Sequence, residues 1–377
     1  MDFEFSTEQQ ILADGLRRMI DKDYDFATRR LLAASPAGFS EDHWRAFADM
    51  GLLGLNAPED CGGSGGSATD TLVVMQELGR GLAVEPYLST AVLAVPLIAA
   101  HGSASQREAV VSQAIAGQRR AALAVLEPQA RYDLADVRTQ AVEAGGGFRL
   151  SGHKAVVLDG GSAHTLIVSA RTGGDDAITL LLVDARAPGV TVRDFPNIDG
   201  RRSAEIAFEG VEVGADAVIG APGRGLALVE EAVDRGIAAL CAEAVGAMER
   251  VTEMTVEYLR TRRQFGQPIG KFQVLQHRAS EMLVAIEQAR SLAYAAAAAI
   301  DAGDPAERRR AVSAAKVMAG RSGRFVGQQA IQLHGGMGMT DEFAVGWYAK
   351  RLLCIDKSFG DVDHHMALFG EAIVATY

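Results

Sequence analysis

The sequence predicts an α+β protein of several domains: an N-terminal α-helical domain, a small central antiparallel β domain and a C-terminal antiparallel helical bundle. The main observation is the period of the apolar residues, which is helical over residues 1–120, close to two over 121–222, and helical again over 223–377. The length of 377 residues also exceeds the size of about 250–300 residues at which single cores stop growing. We therefore expect domain boundaries near residues 120 and 222.

The N-terminal domain is predicted to be helical from its helix-start signals. Ser6 and Gln9 form a capping box ahead of a periodic apolar run, and Ser40 precedes a second run. Pro86 then begins an apolar stretch that extends to residue 100. These signals favour several short helices rather than strands.

The central domain is predicted from three runs of apolar and β-branched residues at 148–158, 165–170 and 178–184. Pairs such as Gly160-Gly161 and Pro188-Gly189 separate these runs and are typical of turns. Several short strands at this spacing predict a small antiparallel sandwich or barrel.

The C-terminal domain is predicted to contain three long helices. Residues 226 to about 263 carry no proline, and runs at 272–302 and 305–334 follow after short segments rich in glycine and proline. Long helices joined by short loops are typical of an antiparallel bundle.

The charge balance excludes one class of partner. The chain carries 37 Lys and Arg residues against 48 Asp and Glu residues, a net charge of −11. A surface that binds nucleic acid needs clustered cations to neutralise phosphates, so we expect no nucleic-acid partner. A local basic site for one phosphorylated ligand remains compatible with this balance.

The cysteines and the apolar stretches indicate the compartment. Cys61, Cys241 and Cys354 lie far apart, with no C-x-x-C pair and no histidine at metal-ligand spacing, so neither a disulfide framework nor a metal site is predicted. The first residues are acidic where a signal peptide would be basic. The stretches at 91–100 and 292–300 are shorter than the roughly 20 residues of a membrane span. We expect a cytoplasmic protein with no membrane partner.

A first candidate binding motif stands where the first long helix ends. Tyr258, Arg262 and Phe265 are spaced to share one helical face. An arginine fork beside an aromatic plane suits a diphosphate joined to a purine. The alternative is an ordinary basic helix terminus that complements the helix dipole.

A second candidate motif is Gln332-Leu-His-Gly-Gly-Met-Gly, after another long helix. Its glycines permit a close backbone approach to a dinucleotide, but they are equally typical of a helix C-cap and turn. The motif is not a Rossmann fingerprint, because no strand precedes it.

Glu243 is the candidate catalytic residue. It is the one ionisable carboxylate between Ile237 and Met248, and burial would raise the pKa of its carboxyl group toward the range of a general base. The alternative is a structural ion pair. On the same helix, Asp234 is a weaker candidate that we expect to be solvated. The predicted partners of a structural pair are Arg278, Arg290 and Arg321.

His364 and His365 could suggest a metal or acid/base cluster. No cysteine or third ligand is placed to complete one. We instead expect Asp361 and Asp363 to cap a helix and to face solvent.

The segments 258–273 and 332–338, together with the order of the three domains, resemble the acyl-CoA dehydrogenase family. The resemblance runs along the whole chain. Within the family, segments 129–137, 238–248 and 323–336 are most similar to the small subunit of pimeloyl-CoA dehydrogenases.

The resemblance implies an FAD enzyme that oxidises an acyl-CoA, such as pimeloyl-CoA or another dicarboxylyl-CoA, to its trans-2-enoyl thioester. A carboxylate takes the α-proton while the β-hydrogen leaves as hydride, and the electrons pass to an electron-transferring flavoprotein or a similar acceptor. In this family FAD lies across a subunit interface, and a neighbouring subunit holds its adenine half. The positions that carry over to this contact are Arg262, Gln264, Phe265, Ile269, Phe272, Gln273, Gln332, Gly335 and Gly336.

The chain departs from the family where a subunit serves its own flavin. The family's Gly-Ala-Gly-Ser-Asp type turn after Glu-Pro is replaced by a segment that begins at Gln129. The family's Trp-x-Thr on the next strand is replaced by Val156 and Leu158, and the common catalytic glutamate by Phe359. In members that carry the base on the helix before the arginine motif, its place corresponds to Gly236.

These departures predict the small subunit of a hetero-oligomer, which completes the FAD site of a larger acyl-CoA dehydrogenase subunit. A homo-oligomer is the simpler alternative. Two further alternatives are a partner subunit without a catalytic role and a flavin monooxygenase or oxidase on the same scaffold.

Overall fold

The computed structural model describes residues 5–173 and 177–374. The acidic residues 1–4, on which the argument against a signal peptide depends, lie outside these ranges. The chain packs into two compact units. Within the described residues, the first comprises 5–31, 68–83 and 237–374, and the second 32–67, 84–173 and 177–236. The boundaries predicted near 120 and 222 fall where helix changes to strand and strand to helix.

The helices begin where the capping signals predict. The Ser6 side chain accepts a hydrogen bond from the Gln9 amide at 3.2 Å, and the Gln9 side chain accepts one from the Ser6 amide at 3.0 Å. Ser40 and Asp304 cap two further helices. The helices are α1 (Thr7–Asp23), α2 (Phe26–Ala34), α3 (Glu41–Asp49), α4 (Ala68–Gly81), α5 (Val95–His101), α6 (Ala104–Gln106), α7 (Gln113–Ile115), α8 (Gly225–Thr261), α9 (Gln273–Ala302), α10 (Pro305–His334), α11 (Ala344–Lys357) and α12 (Val362–Val374).

The described residues of the second unit form one sheet of eight strands. The order across the sheet is β6-β7-β3-β2-β4-β5-β8, and β1 pairs with β4. The strands are β1 (Ala121–Ala124), β2 (Gln140–Ala144), β3 (Gly147–Leu158), β4 (Thr165–Arg171), β5 (Ile178–Asp184), β6 (Val190–Pro196), β7 (Arg202–Gly214) and β8 (Val218–Ile219). The three strands predicted from the sequence are thereby confirmed.

The sheet is mixed, whereas the sequence predicts an antiparallel one. β1 runs parallel to β4 over four residue pairs, and β2 meets β4 in one parallel pair. The remaining pairings of the sheet are antiparallel. The difference arises because β2 and β3 form a hairpin between β1 and β4 along the chain, so β4 returns in the direction of β1.

Helices α4 and α8 of the first unit cross at two glycines. A Cβ atom on Gly79 would lie 2.1 Å from the carbonyl oxygen of Glu243, and one on Gly246 would lie 1.8 Å from that of Gln76. Only glycine permits this backbone-to-backbone approach. The crossing therefore fixes the position of Glu243 along α8.

Among the described residues, one helix, α9, is long and apolar enough to cross a membrane by length and composition. It packs against α10 and α4 within the first unit. Core helices of soluble proteins pass the same test, so α9 is weak evidence for a span.

Candidate functional site

The first motif forms a tight hairpin rather than the end of a helix. α8 ends at Thr261, and two short strands, β9 (Arg263–Gln264) and β10 (Gln267–Pro268), pair antiparallel. Phe265 and Gly266 form the turn with φ of +52° and +78°, as in a type I′ turn. The predicted helical face shared by Tyr258, Arg262 and Phe265 is therefore wrong, because the left-handed turn takes Phe265 off the helix axis.

Phe265 and Arg262 are presented to the outside. The Phe265 side chain is 90% exposed although it occupies a left-handed backbone region that bulky residues rarely adopt. Its ring lies edge-on to Phe272 at 6.0 Å. Arg262 is exposed, and its guanidinium makes no hydrogen bond or ion pair within the described part of the chain. In contrast, the neighbouring Arg263 donates to the carbonyl of Gly266 at 3.2 Å.

The second motif ends α10 in a glycine turn. Gly335 has φ of +62° and ψ of −139°, a conformation open to glycine. A Cβ atom on Gly335 or Gly336 would meet nothing within 4 Å, so the backbone there is open. Gln332 is exposed one turn earlier. The segment is thus a helix C-cap, as the alternative predicts, and it also leaves room for a close approach.

An aromatic stack that sequence reasoning missed joins the two motifs. The rings of Tyr258 and His334 lie 4.5 Å apart at 29°, and Phe343 packs against His334 at 5.2 Å. The amide of Arg262 donates to the carbonyl of Tyr258 at 2.9 Å. The ends of α8 and α10 therefore meet. In the sequence, this contact is indicated only by the presence of one aromatic residue in each motif.

The remaining predicted contact residues continue from the hairpin. Gln264 and Gln273 are exposed, and Ile269 and Phe272 are partly buried where the chain leads from the hairpin into α9. The amide of Ile269 donates to the Arg262 carbonyl at 2.8 Å, which closes the loop back onto the end of α8. This closure keeps the residues of the first motif in one segment of the surface.

Glu243 lies in a buried ion pair. Its two carboxylate oxygens accept hydrogen bonds from Nε and Nη2 of Arg351 at 2.6 and 2.7 Å, and the two side chains are 2% and 7% exposed. The partner lies on α11 and is none of the three arginines predicted. A fork that holds both oxygens stabilises the ionised carboxylate and occupies its lone pairs. This geometry supports the structural alternative and not a general base.

Asp234 differs from its prediction in a simpler way. The sequence predicts a solvated residue at the end of a helix, but Asp234 is buried, with 2% of the residue exposed. α8 begins nine residues earlier than Asp234, at Gly225, so Asp234 lies in the helix body.

The turn at the position of the family's glutamate carries Phe359. Phe359 and Gly360 have φ of +55° and +113°. The buried Lys316 ammonium donates to the carbonyls of Asp356, at 3.0 Å, and of Gly360. Burial lowers the pKa of Lys316 to about 8. The hydrogen bonds from Lys316 thus hold the backbone of this turn in place, but the side chain at the position of the family's glutamate is the hydrocarbon ring of Phe359.

His365 helps to hold the same turn. Its Nε2 lies 3.0 Å from the carbonyl of Phe359 and its Nδ1 lies 3.2 Å from the Ser313 hydroxyl. Burial lowers the pKa of His365 to about 3, so the ring is neutral. Asp361 accepts a hydrogen bond from the His364 amide at 3.1 Å, consistent with the predicted cap. Within residues 5–173 and 177–374, no cluster of three metal-ligating side chains is found.

In the second unit, two residues at positions where the chain departs from the family's pattern have unusual backbone conformations. Val156 on β3 and Arg131 in the preceding loop have φ of +50° and +51°. A β-branched residue in the left-handed region is an outlier. The Val156 and Leu158 side chains are hydrocarbon, so neither supplies a hydroxyl donor.

Glu127, at the start of that loop, anchors the loop to the sheet. Its carboxylate accepts hydrogen bonds from the Lys154 ammonium at 2.7 Å and from the amides of Arg138 and Thr139 at 2.8 and 3.1 Å. Ser169 binds the same ammonium at 3.0 Å. Burial opposes the ionised form of Glu127, but Lys154 and the amide donors together lower its pKa to about 2.

This carboxylate predicts an acid limit to stability. Because the folded pKa of Glu127 lies below the ordinary value of 4.5, its contribution is complete above pH 4.5 and is lost as the pH falls through about 2. Urea unfolding of the wild type and of Glu127→Gln should therefore differ most near neutral pH and converge in acid. The exposed Glu143→Gln of β2 serves as the control. A constant difference from pH 7 to pH 2 would contradict this account.

Comparison with known proteins places the chain in a family. Profiles of the acyl-CoA dehydrogenase N-terminal, middle and C-terminal domains match residues 6–118, 122–211 and 223–373. The mitochondrial isovaleryl-CoA dehydrogenase of Oryza sativa subsp. japonica is 30% identical over 80% of this chain and 76% of its own.

Two solved structures are similar over nearly the whole chain. The Tcur3481-Tcur3483 steroid ACAD is 30% identical, with a TM-score of 0.89 over 98% of both chains. The ChsE4-ChsE5 complex from Mycobacterium tuberculosis is 27% identical, with a TM-score of 0.91 over 100% of both. The predicted fold class is confirmed. FAD is the cofactor of the matched family, and the similar structures include an FAD complex. The chain therefore belongs to the acyl-CoA dehydrogenase family.

Proposed function

We propose that this chain is the small subunit of a hetero-oligomeric, FAD-dependent acyl-CoA dehydrogenase, and that it holds the adenine half of an FAD bound to a larger subunit. The observation that carries the proposal is the exposed Arg262 guanidinium, which has no hydrogen bond or ion pair among the described residues, three positions before the exposed Phe265 ring. A cation without such a partner and an exposed aromatic ring suit a diphosphate and a purine from outside the chain.

The described residues fit one half of FAD better than the other. Arg262 would bind the diphosphate, Phe265 would pack on the nucleotide, and the open backbone at Gly335 and Gly336 would admit it closely. When bound, FAD supplies the hydride acceptor for dehydrogenation of an acyl thioester. Val156 and Leu158 offer that acceptor no hydroxyl donor. We therefore assign the donor to the larger subunit.

The catalytic base is likewise assigned to the larger subunit. Phe359 cannot take a proton, and Glu243 is held by Arg351. In this proposal the small subunit contributes binding and orientation of the cofactor, while proton removal takes place on its partner. A subunit without any catalytic contribution is the limiting case of the same arrangement.

The names of similar proteins support the partner and the substrate class. Two similar structures bear two-component names, Tcur3481-Tcur3483 and ChsE4-ChsE5. We propose an acyl-CoA substrate of the dicarboxylyl type, such as pimeloyl-CoA, on the resemblance to pimeloyl-CoA dehydrogenase small subunits. A steroid acyl thioester is the competing substrate that we consider, because the name of one similar structure contains the words steroid ACAD. We further propose a cytoplasmic location and an electron-transferring flavoprotein or similar acceptor.

Flavin absorbance tests the subunit role. The chain should be purified alone and with a co-encoded larger subunit, and the FAD content of each should be read from the visible absorbance of oxidised flavin. We expect little FAD in the lone chain and stoichiometric FAD in the complex. Full FAD occupancy together with turnover by the lone chain would exclude the proposal.

Anaerobic reduction tests the reaction. Addition of acyl-CoA to the complex without O₂ should bleach the flavin, because a dehydrogenase passes the substrate's electrons to FAD before any acceptor is needed. A flavin monooxygenase or oxidase acting on another substrate would stay oxidised under these conditions. Comparison of pimeloyl-CoA with a steroid thioester then selects the substrate class.

A further inference from the structure

We propose that His334 is a positioning residue for the cofactor, because its ring, stacked on Tyr258, holds the Arg262–Phe265 hairpin and the Gly335–Gly336 turn as one surface. The inference deepens the proposed function and rests on it.

The orientation of the His334 ring is fixed from its own helix. Nδ1 lies 2.8 Å from the carbonyl of Ala330, so Nδ1 carries the proton that is donated. The residue is 3% exposed. Its other nitrogen, Nε2, is buried and has no hydrogen-bond partner among the described residues. The His334 ring is therefore neutral and has one defined tautomer.

The contact between the stacked rings of His334 and Tyr258 connects the two motifs. Tyr258 lies 4.5 Å from His334, ring to ring, and its carbonyl accepts the amide of Arg262 one turn later. On the other side, Gly335 follows His334 directly in the chain. Loss of the His334 ring would let the end of α8 move relative to the end of α10. A cofactor that touches both elements would then lose their common geometry.

The neutral state of the ring matters for this role. The groups that face the ring are the Tyr258 phenol on α8, Phe343 ahead of α11 and the Ala330 carbonyl. Burial lowers the pKa of His334 below its usual value of 6.5, and the Ala330 carbonyl opposes this shift. Protonation would place a charge and an unpaired donor at Nε2, which is costly in a buried site.

The test measures FAD dissociation from the assembled complex by flavin fluorescence. We expect His334→Ala to raise the Kd for FAD about tenfold, Tyr258→Ala to do the same, and the double variant to add little further, since both remove one stack. His334→Phe keeps a ring and should stay within about threefold of wild type at pH 7.5. The exposed His153→Ala, in the other compact unit, is the matched control.

A pH series separates positioning from general stability. Burial lowers the pKa of His334, so the wild-type Kd should stay level near the usual range of an imidazole and rise only at the more acidic pH where this ring protonates. The Kd of His334→Phe should be flat over the same range, because phenylalanine does not titrate. An unchanged Kd in His334→Ala, with Arg262→Ala weakened, would overturn this inference and leave the proposed function intact. If both variants keep the wild-type Kd, the proposed function itself fails.

Discussion

Replacement of Glu243 by leucine is expected to lower the free energy of unfolding by about 3–5 kcal/mol. The change removes the carboxylate that accepts from both Nε and Nη2 of Arg351, whose side chain is 7% exposed, so a buried positive charge loses this counter-ion. Thermal and urea unfolding of the purified protein would measure the loss. Replacement of both residues, as Glu243→Leu with Arg351→Met, should recover much of it, because a buried pair can be exchanged for apolar residues at little cost.

The same variant decides between the two roles of Glu243. Glu257→Leu, at an exposed position of α8, is the control and should change stability by no more than about 0.5 kcal/mol. If Glu243 has a structural role, its variants should be unstable. The fraction of each variant that remains folded should still reduce FAD normally. If Glu243→Gln were as stable as the wild type but lost anaerobic bleaching by several orders of magnitude, Glu243 would be the base after all.

Replacement of Arg262 by alanine is expected to weaken FAD binding to the complex about 10- to 100-fold. A hydrogen bond to a charged group contributes about 1.5–3 kcal/mol, and about 1.4 kcal/mol is a factor of ten in Kd. Titration of deflavinated complex with FAD measures the effect. Arg262→Lys should recover only part of the affinity, because an ammonium cannot form the bidentate fork.

The control for Arg262 is two residues away. Arg260→Ala removes an exposed arginine from the same end of α8 and should leave the Kd for FAD within about twofold. Equal losses in the two variants would indicate a general effect of positive charge. An unchanged Kd in Arg262→Ala would remove the main support for the proposed function.

Local signals predicted most of the fold. The capping box at Ser6 and the bounds of α10 follow from residues that act on their own neighbours, so they can be recognised in the sequence. The parallel pairing of β1 with β4 could not be predicted. It depends on how distant strands meet, which the local pattern does not encode.

The candidate site shows the same division. The Arg262 and Gly335 motifs were recognisable as short segments, and the structure brings their ends together through the stack of Tyr258 on His334. The hairpin at Phe265 was missed, because helical spacing continues past Thr261 although Gly266 permits a left-handed turn. The partner of Glu243 was also missed, since 108 residues separate it from Arg351.

The backbone conformation of Phe265 costs free energy that no contact in the isolated polypeptide offsets. A large side chain in the left-handed region is strained by roughly 1 kcal/mol or more, and the Phe265 residue, 90% exposed, makes little packing contact that would offset this strain. Random mutagenesis scored by soluble yield of the lone polypeptide would therefore enrich glycine or asparagine at this codon. A screen scored by recovery of holoenzyme would retain phenylalanine. Selection for soluble yield of the lone polypeptide would thus remove the ring that the proposed contact with FAD uses.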